Sequence, residues 1–548
     1  MSTYVYGGRF QGIQSYIFAT NKLRENIGAS ELLNVICSED FLKKELNKMK
    51  ISGAEIIQAA ASTIKISFQT EEDAKKFERE FIKTARKFVP GIEYSQTHVE
   101  IGKKDGCNDA DWNETLEAGL STEKNRPATL YYPNLMIVKR DNRTGLPVRA
   151  EEMFKVQDYN DKGEIIWVSM DEANCRKFKK ARPAHEKLED KLLEESGDEN
   201  ENDLLPDKSD DENENNLTMK LTGEKRELPL IIEEISKNFI AVVHADGNGL
   251  GQFLQDQKEN KDFDIKTFSK TLDDCTVTSA RTAFEYIKQN YKDSDKYPFR
   301  PIVLGGDDFT FICKAKDAVE FTKKFIQEFE KNTQDKKLDQ KDGNMFTVCA
   351  GIAFVKKNYP MHFAYELAES LCSLAKGKAK NLKREKGLPV IPSCLAFRKE
   401  LGSFAEDFEN IKEKNNEFIF GPYDVYDREK GIRPNLDDAL PHIDDLAEVV
   451  KVLEDNNPFK SFLRNWMSDE LVNPHSAELL KDRFKSVAQG NDEDKYNDFK
   501  KKMNKLLNKS GENEKGLNLE KDGVSPVLDI LTLISVKDEG GENDNDQL

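Results

Sequence analysis

The chain is 548 residues long and carries 101 acidic against 83 basic side chains, a net charge of −18. That length accommodates about three or four domains, and the acidic surplus argues against broad, non-specific coating of nucleic acid while leaving room for a local basic groove. The opening run Met1-Ser2-Thr3-Tyr4-Val5-Tyr6 lacks the charged and apolar regions of a secretory signal, and no apolar run reaches membrane-spanning length, so a soluble cytoplasmic protein with no membrane partner is expected.

The first predicted unit covers residues 1–102. A strand from Thr3 to Tyr6 leads into a broken helical stretch from Gln11 to Met49. A hairpin from Glu55 to Phe68, a helix from Glu71 to Val89 and a strand from Ile92 to Ile101 follow. This order, βαββαβ, is the ferredoxin-like pattern. Residues 103–236 are less periodic. Within them, residues 186–215 carry fourteen acids against three lysines; such a stretch buries too little apolar surface to order itself and reads as a disordered acidic loop.

Residues 237–397 repeat the first pattern. The run from Phe239 to Asp246 reads as a buried strand ending on an acid, and Gly247-Asn248-Gly249-Leu250-Gly251 as a small-residue turn that opens a helix. A helix from Ser279 to Tyr291 precedes two apolar β-type runs separated by Gly305-Gly306-Asp307-Asp308. A helix from Lys316 to Asn332, a strand from Met345 to Val355 and a helix from His362 to Arg384 complete the unit. Residues 398–536 are helix-rich and charged, with helices expected over Asp444–Leu453, Phe459–Trp466 and Ala477–Val487. The polar tail 537–548 is expected to be disordered. The expected fold class is α+β: two ferredoxin-like units, an inserted linker region and a helical C-terminal domain.

The acids carry the chemistry. Two adjacent carboxylates at the tip of a hairpin repel one another, and a divalent cation relieves that repulsion. If the strand ending at Asp246 neighbours the hairpin, Asp246, Asp307 and Asp308 converge at one sheet edge. Three carboxylates there supply the hard oxygens magnesium requires, and two ions held close together clamp the attacking and leaving oxygens of an in-line phosphoryl transfer. Glycines at the turn let a ligand approach the backbone.

Aligning the two hairpins sets Ser62 and Thr63 against Asp307 and Asp308, while Gly7 and Gly8 offer no acid where Asp246 would fall. One copy is thus expected to hold metal and the other to be silent. The eight cysteines form no CxxC pair and several lie in apolar runs, which reads as buried free thiols in a reducing compartment.

Several spaced motifs resemble one family. The run from Gly12 to Phe18, with Lys22-Leu23-Arg24-Glu25 and Gly28-Ala29-Ser30-Glu31-Leu32-Leu33, is similar to the first-palm signature of the large polymerase-cyclase subunit of type III CRISPR effector complexes. The turn Asp246 to Gly251 resembles its first metal-binding turn, and Thr144-Gly145-Leu146-Pro147 a segment that lies between its palms. Ala368 to Lys376 is similar to the closing helix of the related diguanylate-cyclase domains, whose lysine reaches nucleotide phosphates.

The resemblance implies a first palm over 1–102, an inter-palm region over 103–236 and a second, GGDD-bearing palm over 237–397. It implies an enzyme that condenses ATP into cyclic oligoadenylates for antiviral defence. Asp246, Asp307 and Asp308 would be the catalytic acids and, with the Gly247 carbonyl, would hold two Mg²⁺ or Mn²⁺ ions. Gly247, Asn248, Gly249, Gly305, Gly306 and Lys376 would face the nucleotide, with Ser62 and Thr63 as contacts in a second pocket. Partners would be ATP, other CRISPR effector subunits and guide and target RNA.

The chain departs from the family pattern in two ways. Cys107 and Cys175 stand alone, so no zinc is expected, and none of the six histidines is followed by Asp, which removes the signature of an HD nuclease. The simpler alternatives are a solvated turn for Asp307 and Asp308, a wet helix face for Lys376, Lys378 and Lys380 and for Lys500, Lys501 and Lys502, a satisfied core residue for His244, and a helix entry for Gly12 and Gln14. Two other functions remain alongside: a diguanylate-cyclase-like enzyme, disfavoured by Asp308 in place of Glu, and a non-catalytic RNA-binding scaffold.

Overall fold

The computed structural model describes residues 3–60, 62–101, 111–126, 139–141, 143–148, 155–159, 165–181, 228–257, 263–292, 294, 296–338, 345–400, 420–433, 436, 439–454, 456–508 and 517–538. The acidic stretch 186–215, Cys107 and residues 539–548 lie outside them.

Strand β1 (Thr3–Gln11) is followed by helices α1 (Ile13–Ile17), α2 (Leu23–Ile36) and α3 (Glu39–Lys48), the hairpin β2 (Glu55–Ala60) and β3 (Thr63–Phe68), helix α4 (Glu71–Phe88), strand β4 (Glu93–Ile101) and helix α5 (Asp111–Lys124). Local chemistry explains α4. The Thr70 hydroxyl caps its start by accepting from the Asp73 N–H at 3.1 Å. Glu71, Glu72 and Asp73 fill the first turn and Arg86 and Lys87 the last, matching the helix dipole. Ala74, Phe77, Phe81 and Ala85 recur at helical spacing and are buried. The sheet is antiparallel, ordered β2-β3-β1-β4.

After a hairpin of β5 (Lys155–Tyr159) and β6 (Ile165–Ser169), the pattern returns: β7 (Phe239–Gly247), α6 (Leu250–Asp256), α7 (Ile265–Asn290), β8 (Phe299–Gly305), β9 (Asp308–Lys314), α8 (Ala318–Asp335), β10 (Val348–Lys356) and α9 (Met361–Lys386). Strands β8-β9-β7-β10 lie in the same order as β2-β3-β1-β4, and β11 (Cys394–Lys399) and β12 (Tyr423–Asp424) extend that sheet beyond β10 to six strands.

Strand β7 is buried on both faces. Ala241, Val243 and Ala245 join Phe284, Phe321 and Phe325 of α7 and α8, while Ile240 and Val242 join Ala364, Ala368 and Leu371 of α9. This accounts for a continuous apolar run rather than an alternating one.

The two repeats share one apolar cluster that runs from Tyr6, Ile64 and Phe77 to the α9 face of the second sheet. Phe18 stacks on Tyr365 at 4.6 Å between centroids, and the Met361 N–H donates to Asn21 Oδ1 at 2.9 Å. In the segment between the repeats, Thr144 Oγ1 donates to Asp171 Oδ2 at 2.7 Å, and Arg143 pairs with the buried Glu25 of α2. Helices α10 (Ile443–Glu454), α11 (Asn457–Val472), α12 (Pro474–Asn491), α13 (Glu493–Leu506) and α14 (Val527–Asp538) follow; Leu446, Trp466, Phe499 and Ile530 extend the cluster on the α7–α8 face. The seven described cysteines are buried, and none of them forms a disulfide. No described helix is long and apolar enough to cross a membrane.

Several boundaries differ from the sequence-based expectation. Strand β1 runs to Gln11 rather than Tyr6, because its partners β3 and β4 continue pairing past Tyr6. Residues 111–124, within the region read from sequence as less periodic, form helix α5, which packs on β4 and β1. The second unit gains Arg398, Lys399, Tyr423 and Asp424 through β11 and β12. Lys537 and Asp538, expected in the disordered tail, end α14, where Lys537 pairs with Glu454 at 2.6 Å.

Candidate nucleotide and metal site

Strands β7, β9 and β8 place the three acids. Asp246 lies opposite Asp308, and Asp308 opposite Gly305. Gly306, at φ 62°, and Asp307 form the connecting turn, and the Gly247 N–H donates to the Asp307 carbonyl at 3.1 Å. A Cβ on Gly247 would meet Asp307 Cβ at 2.7 Å and Oδ2 at 2.9 Å, so this glycine is demanded by the closeness of the acid. Asp246, Gly247, Asp307 and Asp308 therefore gather at one end of the sheet.

The crowding has an electrostatic cost. Burial first, then the charges of Asp246 and Asp308, push the Asp307 carboxyl up to about 6, with Lys376 pulling the other way. Lys376, from α9, supplies the compensating charge: its ammonium pairs with Asp246 Oδ2 and donates to the Gly247 carbonyl at 2.7 Å.

Behind Asp308 stands His244, 6% exposed. Its Nδ1 is 3.0 Å from Thr310 Oγ1 and 3.4 Å from Asp308 Oδ1. Thr310 Oγ1 donates to Asp308 Oδ1 at 3.3 Å, so its lone pair is left for a hydrogen on His244 Nδ1. Burial opposes protonation of this imidazole, but Asp308, then Asp246 and Glu369, outweigh it and raise its pKa. His244 is a core residue, as the simpler alternative held, and it also contacts the acid cluster.

The turn is clamped from behind by α7, which the sequence reading missed. Asp273 Oδ1 accepts the Gly306 N–H at 2.9 Å, and the Thr276 hydroxyl, also 3.1 Å from the Leu272 carbonyl, contacts the Gly306 carbonyl. A Cβ on Gly305 would meet Asp273 Oδ1 at 2.8 Å. The Gly306 amide, expected to face phosphate, is thus occupied by Asp273. Asn248 is likewise held internally: its N–H donates to the Thr347 carbonyl at 2.8 Å, and its Nδ2 lies 3.1 Å from Thr347 Oγ1 and 3.3 Å from Cys349 Sγ. Gly249, at φ 79°, caps α6. An acid one helical turn before Thr276 was the only sequence signal for the clamp, and charged helix faces are too common to read that way.

The first repeat shows the same frame with other residues. Ala60 pairs with Thr63 as Gly305 pairs with Asp308, and the Phe10 N–H donates to the Ser62 carbonyl at 3.0 Å as Gly247 does to Asp307. The register slips between Ile56 and Gln58 as it does between Pro301 and Val303. Ser62 and Thr63 thus match Asp307 and Asp308 in register. The residue opposite Thr63, however, is Arg9, which corrects the expectation that Gly7 and Gly8 match Asp246. Arg9 Nε donates to Thr63 Oγ1 at 3.3 Å, and its Nη2 pairs with Glu117 of α5 at 2.9 Å; Lys65 Nζ also meets Glu117, at 3.0 Å. The strand–helix ion pair Asp246–Lys376 recurs with its signs exchanged.

Among the described residues no group of three or more His, Cys, Asp or Glu side chains is placed to hold a metal ion. The donor chemistry at the second repeat nevertheless fits one: carboxylate oxygens and a carbonyl, crowded enough to raise Asp307 although Lys376 offsets part of the charge. The first repeat, with Arg9, Ser62 and Thr63 in place of the three acids, does not fit.

Residues 239–384 match the family model described as Cas10/Cmr2, second palm domain. No curated protein matches the chain. Among solved structures, the chain is similar to one in the Csm1–Csm4 cassette in complex with cA3, at 12% identity and TM-score 0.50, covering 97% of this chain and 69% of the other. The cassette in complex with cA4 gives 11% and 0.48, covering 97% and 69%. The Csm1–Csm4 subcomplex of the type III-A CRISPR-Csm interference complex gives 14% and 0.41, covering 83% and 63%. At these identities the likeness is one of fold.

Proposed function

Starting from a Cas10-like chain, we propose a nucleotide polymerase-cyclase that joins ATP into cyclic oligoadenylates as a cytoplasmic subunit of a type III CRISPR effector. On this reading both sheets are ferredoxin-like palms, the second catalytic and the first silent, with the C-terminal helices as a further domain. The observation that carries it is the register that sets Asp246 opposite Asp308 with Asp307 in the adjoining turn, inside the segment similar to a Cas10/Cmr2 second palm. The solved relative captured with cA3 supports the product class.

Asp246, Asp307, Asp308 and the Gly247 carbonyl would hold two Mg²⁺ or Mn²⁺ ions, which when bound supply charge neutralisation of a triphosphate and activation of an attacking 3′-hydroxyl. The protein's own contribution is positioning. The β8–β9 turn presents two acids from a rigid hairpin, and Asp273 and Thr276 restrain its backbone. Lys376, paired with Asp246, would neutralise phosphate charge. Ser62 and Thr63 occupy the matching turn of the first repeat, with Arg9 and Lys65 supplying positive charge for a second nucleotide.

Incubating the protein with ATP and Mg²⁺, alone and with partner subunits, guide and target RNA, and reading the products by mass spectrometry tests the proposal. Cyclic oligoadenylates that disappear in Asp307→Asn support it. No oligonucleotide under any of these conditions sinks it and leaves the scaffold reading.

A further inference from the structure

Lys376 rests on two of the oxygens that the proposed metal site would use. Its side chain is 17% exposed and that of Asp246 40%, so the lysine reaches the acid from the helix side while the carboxylate keeps an open side. Buried Ala375 and Ala379 hold that stretch of α9 against the sheet. In the first repeat the corresponding ion pair is closed by three residues, Arg9, Lys65 and Glu117, and its strand residue is itself a cation. In the first repeat the cations stand on a helix carboxylate, whereas in the second Lys376 stands on the strand oxygens that the proposed metal site would use.

We propose that Lys376 is the resident counter-ion of this site: it holds Asp246 and the Gly247 carbonyl when no divalent cation is bound and gives them up when one binds. This rests on the metal-site reading above. With three carboxylates converging, an unneutralised site is costly, and one ammonium offsets part of that cost. A divalent ion brings twice the charge and accepts several oxygen ligands at once, so it displaces the ammonium. The flexible four-carbon stem of the lysine then lets the freed charge meet a different anion nearby. Because cation binding must break an existing pair, the apparent affinity is reduced by the fraction of sites already taken.

Titration of the full chain with Mn²⁺, with the free ion read by electron paramagnetic resonance, tests the inference on wild type, Lys376→Met, Lys380→Met and Asp246→Asn. Lys380 is one turn further along α9 and exposed, so its variant removes the same charge without touching the pair. Lys376→Met is expected to bind Mn²⁺ about three- to fivefold tighter, the upper scale of a partly exposed ion pair, with Lys380→Met within about twofold of wild type. Asp246→Asn is expected to bind at least about tenfold more weakly. Lys376→Met binding no tighter than wild type, while Asp246→Asn still weakens it, overturns the counter-ion role and leaves the metal site standing. Equal tightening by both lysine variants also overturns it, because charge alone then explains the gain. Wild type binding no better than Asp246→Asn overturns the metal-site reading, and the inference with it. Thermal melts without metal identify any misfolded variant, and Lys376→Gln then replaces Lys376→Met.

Discussion

Arg9 and Asp246 occupy one register position in two copies of the same strand arrangement: Arg9 lies opposite Thr63, the first residue of β3, and Asp246 opposite Asp308, the first residue of β9. Each is met by the helix that follows the fourth strand, through Glu117 and Lys376 respectively. The frame with three acids is thus suited to cations, and the one with Arg9, Ser62 and Thr63 at the same positions is not. Asp246→Asn, Asp307→Asn and Asp308→Asn should each lower product formation from ATP by about a hundredfold or more, the scale of losing one charge-stabilising group, while far-ultraviolet circular dichroism stays unchanged. Full activity in any of the three would remove that acid from the mechanism.

The clamp on the turn gives a separate expectation. Asp273→Ala leaves the Gly306 N–H without its acceptor and frees the hairpin tip. Turnover should fall about tenfold or more, since small misplacement of reacting groups is expensive. A purely structural role would instead lower the melting temperature and leave Mn²⁺ affinity and turnover per folded molecule intact.

The raised carboxyl of Asp307 sets a pH dependence. Its pKa is about 6 in the fold against an ordinary 3.8, so the fold favours the protonated form. The stabilising contribution is complete below about pH 4 and is lost as pH rises through about 6, at about 1.4 kcal/mol for each pH step of one between those two values. In chelator, Asp307→Asn should therefore melt higher than wild type at pH 7.5 and at the same temperature near pH 4. The reverse ranking at pH 7.5 would show that the acid is not crowded.

Gly351 of β10 lies directly under α9. A Cβ there would meet the Ala368 carbonyl oxygen at 2.0 Å and the Cys372 nitrogen at 2.5 Å, both backbone atoms. Gly351→Ala should cost about 1–3 kcal/mol or more, as overpacking does, and push Lys376 away from Asp246. Denaturant melts together with Mn²⁺ titration read the two effects.

Arg433 ties the C-terminal region to α8 and β12. It bonds Glu330 Oε1 at 2.9 Å and pairs with Asp424, all three side chains being essentially buried. Arg433→Ala strands two carboxylates and should cost about 3–5 kcal/mol. Denaturant melts of wild type and Arg433→Ala measure that loss, and an unchanged melt would remove the network from the stability of the fold.

The elements were readable where local chemistry dominates. The capped, amphipathic run of α4, the hairpin of β2 and β3, and the apolar run ending at Asp246 all appear within a residue or two of expectation. The acids at the site were readable too, because Gly-Gly-Asp-Asp between two β-type runs leaves few other structures. Arg9 was missed because nothing in Gly7-Gly8-Arg9 shows how far the first strand continues; β3 and β4, distant in sequence, set that length. Asp273, Thr276 and Glu117 were missed because each looks like an ordinary polar residue on a helix.

The amino-acid sequence by itself determined the order of elements that the two repeats share and which acids the second hairpin and the strand before it carry. Tertiary structure alone decided which residues meet: Asp246 with Lys376, Gly306 with Asp273, Arg9 with Glu117, Arg433 with Glu330. Periodicity and propensity act over a few residues, whereas strand register and helix docking are set by hydrogen bonds and burial between segments tens to hundreds of residues apart. The charge that distinguishes the two repeats is written in the chain, but its position in each site is fixed only when the strands pair.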